Sequence, residues 1–203
     1  VCAWREEASV EREWSAPAIH PLIRQRESRR AIDTRPIERE ALLAVLEAAR
    51  WAPSYGNMQP WRFIVVENAA ALEGVRAALT PGNAWAKRAP VLIVGAANPA
   101  DAKIVGDKPY YLFDLGLAVS HLLLQATALG LVAHPMGGWD ERLIKQALAI
   151  PDEVRVVVVV ALGHPGRLED LDERTREKEL RPRTRKPLTE IVFADRWGQV
   201  WSP

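Results

Sequence analysis

The chain has 203 residues, 27 basic against 26 acidic side chains for a formal charge of +1, and 48% hydrophobic residues. That is one ordinary domain with a little left over for arms, able to bury roughly 70% of its unfolded surface. It excludes wholesale disorder and any global field drawing the protein to nucleic acid or a membrane. The single cysteine, Cys2, excludes a disulfide framework, a cysteine-rich zinc site and CxxC chemistry, and fits a reducing, cytoplasmic compartment.

Residues 1–16 interleave Arg5, Glu6, Glu7, Glu11, Arg12 and Glu13 with apolar residues, so they read as an N-terminal arm without the apolar run of a secretory signal. Pro17 and Pro21 open a short helix reaching about Glu27. Leu42, Val45, Leu46 and Ala49 form the stripe of an amphipathic helix over 38–50. Pro53 to Pro60 breaks regular structure, and Phe63–Val66 is a short β-branched strand. A helix over 69–79 ends at Pro81-Gly82-Asn83, and Val91–Val94 is a second strand. The stretch 115–133 has no charged residue and is long enough to cross a membrane. Ser120, His121, Gln125 and Thr127 lie inside it and no second span exists, so the reading is a buried or interfacial helix over about 110–129, capped near Gly130. A helix over 140–149 and a strand over 154–162, apolar on both faces, complete the body. Residues 17–166 are one domain, and 167–203 are a charged segment and C-terminal arm completing it.

Between Arg167 and Lys186, 14 of 20 residues are charged, so that run reads as a solvated helix or loop ending in a basic cluster. The tail from Pro187 carries Ile191, Val192, Phe193, Trp197 and Trp201, large groups that need a surface to dock on, its own or another subunit's.

The chain lacks a GxGxxG after a strand, a GxxxxGK[ST], an HExxH and a GxSxG, and its four histidines have no metal-ligand spacing. Two basic clusters remain: Arg26, Ser28, Arg29 and Arg30 early, and Arg181, Arg183, Arg185 and Lys186 late. Guanidinium forks with a hydroxyl suit a phosphate, though a plain solvated surface has the same composition. Ala52–Trp61, a Pro-bracketed loop with Ser54, Asn57 and Gln59, offers fixed polar groups to a planar ligand, or is an ordinary helix-to-strand loop. Gly137 and Gly138 would admit a ligand to the backbone, or simply make a tight turn.

Together, RxSxR, APSxxNxQPWRFIVV (Ala52–Val66), GNAWAKRAPVLIV (Gly82–Val94), the stretch Tyr110–Asp140, ALGHPG (Ala161–Gly166) and RTRKPLTEIV (Arg183–Val192) resemble the nitroreductase family of FMN-dependent oxidoreductases. The likeness runs from about Ile19 to Trp197. It implies an α+β, nitroreductase-like fold: a mostly antiparallel sheet flanked by helices, in an intertwined homodimer whose C-terminal arm crosses to the partner. It implies non-covalent FMN in the interface and NADH or NADPH as hydride donor. Arg26 and Ser28 would lie near the phosphate with Arg183 and Arg185, and Arg30 would reach flavin N1 and O2. Pro53, Ser54, Asn57 and Gln59 match a loop supplied by the other subunit. Gly137 and Gly138 match backbone near N5 and O4, and Asn83 a residue at the ring edge. No side chain would be a catalytic acid or base, because flavin carries the hydride chemistry; no metal is required.

Glu27 departs from the family pattern and would oppose a phosphate unless it points away or pairs with an arginine such as Arg29. Ser120-His121 stands where the family often has Gln-Asn. His134 either packs or lines the substrate face. The implied activity is NAD(P)H oxidation coupled to a nitroaromatic, quinone or similar small-molecule acceptor by ping-pong hydride transfer. Alternatives are a divergent flavin reaction (enoate reduction, reductive dehalogenation or flavin fragmentation) and a non-catalytic flavin-binding protein.

Overall fold

The computed structural model describes residues 19–201; the N-terminal arm expected at 1–16, with Cys2 and Pro17, lies outside the described residues. In chain order the elements are α1 (Pro21–Gln25), α2 (Arg39–Arg50), β1 (Trp61–Val66), α3 (Ala69–Ala78), β2 (Val91–Ala97), β3 (Ile104–Val105), β4 (Lys108–Pro109), α4 (Tyr110–Ala128), β5 (Val132–Met136), α5 (Glu141–Leu148), β6 (Arg155–Gly163), α6 (Glu173–Glu179) and α7 (Leu188–Ile191). Local chemistry starts the helices. The side chains of Asn68, Asp140 and Asp172 accept from the first free backbone N–H groups of α3, α5 and α6. Gly130, at φ +70°, takes the left-handed turn that releases the chain from α4.

The sheet is antiparallel throughout, in the order β1-β2-β6-β5. Its central strands are buried on both faces, because each residue alternation meets a different helical layer. Leu92 and Val94 of β2, with Val159 and Ala161 of β6, point into one core with α3 and α5. Val91 and Ile93, with Val160 and Leu162, point into the other, where α2 and α4 pack. The fold is therefore three layers with two cores.

Helix α4 is long and apolar enough to span a membrane by length and composition. Its Leu115, Ala118, Leu122 and Ala126 fill the second core, whereas Leu112 and Phe113 are exposed. The expected buried helix is thus buried along one face only.

Two elements depart from the sequence reading. The stretch before Gly137 is strand β5, with His134 opposite Ala161 and Pro135 opposite Val160. Pro135 is tolerated because β5 is an edge strand. The small β3–β4 hairpin is also absent from the sequence reading. Two-residue strands carry no readable alternation.

Candidate functional site

The early basic motif is irregular backbone fixed by the end of β6. Ile32 bridges Pro165, Gly166 N donates to Ala31 O at 2.9 Å, and Asp33 N donates to His164 O at 2.9 Å. The approach is so close that a Cβ on Gly166 would stand 2.6 Å from the Ile32 carbonyl carbon. Only glycine lets these two segments meet.

The late basic run docks onto the same motif. Arg183 donates from Nη1 to Arg24 O at 2.6 Å and from Nη2 to Arg26 O at 3.0 Å. Arg26 in turn donates from Nη1 to Ser28 Oγ at 3.1 Å. Between the two runs lies an open cavity of about 400 Å³, lined by Arg26, Ser28, Arg30, Arg183 and Arg185 among others. The structure thus brings together five sequence-chosen residues from opposite ends of the chain.

The electrostatics of this cavity ask for an anion. Burial, then the Arg183 and Arg185 guanidinium groups, hold the Arg26 guanidinium below its usual value, with Glu27 opposing in part. Glu27 approaches Arg29 at 3.9 Å, the pairing that makes an acid tolerable beside such a site.

Two residues outside the basic motifs set the motif's backbone. Glu179, at the end of α6, has a side chain only 6% exposed. Its carboxylate accepts from Arg30 N at 2.9 and 3.0 Å and from Ala31 N at 3.4 Å. From the other side, His134 Nδ1 meets Arg29 O at 3.0 Å. A carbonyl only accepts, so Nδ1 carries the proton. The ring leans on Trp85 with centroids 4.4 Å apart. Burial drives its pKa down to about 4, with Arg30 and Arg26 adding to the shift against the Arg29 bond and Glu179. His134 is a packed, neutral histidine supporting the motif. Sequence reading missed Glu179, which lies in a run that looked merely solvated and whose partner is 149 positions away.

His134 leads along β5 to Gly137 and Gly138. The Gly138 carbonyl accepts from Asn83 Nδ2 at 2.9 Å, Thr80 N at 3.1 Å and Thr80 Oγ1 at 3.2 Å. A Cβ at Gly138 would lie 2.6 Å from Thr80 Oγ1, whereas at Gly137 it would meet nothing. Gly138 is held tightly and Gly137 faces open space.

Pro53, Ser54, Asn57 and Gln59 do not line the arginine cavity of their own chain. Their loop is nevertheless built firmly. Ser54 Oγ accepts from Gln59 N at 2.9 Å, and Gln59 Nε2 donates to Asn57 Oδ1 at 3.0 Å. Asn57 and Gln59 both sit at positive φ, 56° and 48°, which costs a non-glycine residue energy that the surroundings must offset. Buried Asp114 of α4 anchors the loop by accepting from Tyr55 N at 3.0 Å. Ser120 is exposed on α4 and His121 half-buried beside it.

The nitroreductase family model matches residues 23–81 and 73–164 of the chain. An Archaeoglobus fulgidus protein, provisionally named an NADH dehydrogenase/NAD(P)H nitroreductase, is 35% identical over 156 residues, covering 75% of this chain and 88% of its own. The crystal structure of an oxidoreductase containing FMN is 34% identical, with a TM-score of 0.81 over 95% of this chain and 100% of that one. A Desulfovibrio desulfuricans protein, provisionally named a nitroreductase and solved with FMN, is 26% identical, with a TM-score of 0.72 over 89% of this chain and 99% of that one.

Proposed function

The chain belongs to the nitroreductase family, and from that premise we propose an FMN-dependent NAD(P)H oxidoreductase that reduces nitroaromatics, quinones or similar conjugated acceptors by a ping-pong route. The observation that carries it is the cavity where Arg26, Arg183 and Arg185 crowd one another beside Ser28. Arginines gathered here against only the partial opposition of Glu27 are stabilised by an anion, and guanidinium forks with a hydroxyl fit a phosphate dianion.

FMN, once bound, supplies the hydride chemistry itself. The chain's own residues bind and orient. Arg26, Ser28, Arg183 and Arg185 hold the phosphate. Arg30 offers a cation to the ring end that gains negative charge on reduction. Gly137, open above and free of a side chain, lets backbone approach the ring. Asn83 fixes Gly138 beside it.

The Pro53–Gln59 loop falls outside its own chain's cavity, yet it is rigid and carries polar groups. A homodimer gives it a place, at the partner's flavin. The exposed Leu112 and Phe113 of α4 and the exposed Trp197 of the tail are the surfaces such a dimer would cover.

The test is direct. Purified protein is expected to be yellow, to release FMN on heating, and to bleach with NADH or NADPH before any acceptor is added. Initial rates at several acceptor concentrations are expected to give parallel lines. Colourless protein that takes up no FMN in titration sinks the cofactor reading. Intersecting lines sink the shared-face mechanism alone.

A further inference from the structure

An anion site is an unexpected place for a buried carboxylate. Glu179 lines the same cavity as the five cationic and hydroxyl residues, and its side chain is 6% exposed. Its oxygens are committed to the backbone N–H groups of Arg30 and Ala31. Toward the side chains it acts differently. Oε2 stands 3.5 Å from Arg30 Nη1 and Oε1 stands 3.6 Å from Arg29 Nε, as ion pairs without hydrogen bonds. The Arg30 guanidinium, 26% exposed, therefore keeps its N–H donors for a ligand while sharing its charge with Glu179.

We propose that Glu179 is a positioning residue that sets the reduction potential of the bound flavin: it fixes the Arg30 backbone and tempers the charge Arg30 presents to the ring. The inference rests on the FMN reading above. A full cation beside the ring favours the reduced, more negative flavin. A carboxylate 3.5 Å behind that cation reverses part of the preference, and because the carboxylate is only 6% exposed the effect is incompletely screened. The chain thereby holds its cofactor through many arginines without making the reduced form too stable to pass its electrons on.

The experiment uses the full chain. FMN affinity is measured by fluorescence titration and the midpoint potential by dye equilibration, for wild type, Glu179→Gln and Glu179→Asp. Gln keeps one acceptor for Arg30 N–H and loses the charge. It is expected to shift the preference for reduced over oxidised FMN at least tenfold, about 30 mV upward for a two-electron couple. Asp keeps the charge but withdraws it by one methylene, so its ratio moves the same way by less, and it serves alone if the Gln variant does not fold. A purely structural clamp would lower both affinities together and leave the potential unmoved, in either variant. That result, or a Gln variant that folds but holds no FMN, overturns the role of Glu179. A wild-type chain that binds no FMN overturns the cofactor reading beneath it, a distinguishable failure.

Discussion

Arg26 shows how much a single side chain can carry when its charge is crowded. Burial and two neighbouring arginines hold its pKa below the usual value, so an anion entering the cavity relieves repulsion as well as forming bonds. Arg26→Ala is expected to weaken FMN binding by about 1.5–3 kcal/mol, on the order of ten- to a hundredfold, measured by fluorescence titration. His134 gives the second prediction. Its pKa is about 4 in the fold and near 6.5 when unfolded. A depressed histidine means the unfolded chain binds the extra proton first, so stability is full above about pH 6.5 and is lost as pH falls toward 4. The loss is about 3 kcal/mol, since burial first, and then the charges of Arg30 and Arg26, disfavour the protonated ring against the Arg29 carbonyl and Glu179. Urea midpoints from pH 7 to 4.5 should fall for wild type and flatten in this window for His134→Leu.

Among the elements, the long ones were legible because period and caps agree. The Leu42, Val45, Ala49 stripe is the buried face of α2, and the doubly apolar run read at 154–162 is central strand β6. Strand β5 was not legible. The sequence reading places no strand there and takes the glycines that follow as a ligand approach or a tight turn, and only its edge position against β6 makes Val132–Met136 extended. The contact of β6's end with the motif is also tertiary. Gly166→Ala is expected to push the Ile32 backbone away, since the added Cβ would lie 2.6 Å from its carbonyl carbon, costing about 1–3 kcal/mol. FMN affinity should fall with it, because the displaced segment carries Arg30. Thermal melts and titration check both; loss of stability with unchanged FMN affinity would separate that contact from the site.

At the scale of the whole molecule, one chain leaves its apolar surface unfinished. Leu112 and Phe113 lie open on α4, and Phe193 stacks on Trp197, which is itself 92% exposed. Isologous pairing is the commonest way to cover such surfaces. Light scattering during gel filtration is expected to report about twice the chain mass. Deleting residues 187–203 is expected to loosen dimer and flavin together; a flavin-loaded monomer would contradict the proposed shared site. Sequence by itself determined the main helices and strands, because these follow from local periodicity, while its resemblance to the nitroreductase family supplied the α+β class and singled out the five residues of the anion cavity, whose composition alone suits a solvated surface equally well. The tertiary structure alone decided that Arg26 and Arg183 meet, that Glu179 clamps Arg30, and that His134 is neutral and packed. Those facts depend on burial and on partners more than a hundred positions apart, and neither burial nor distance is written in the local order of residues.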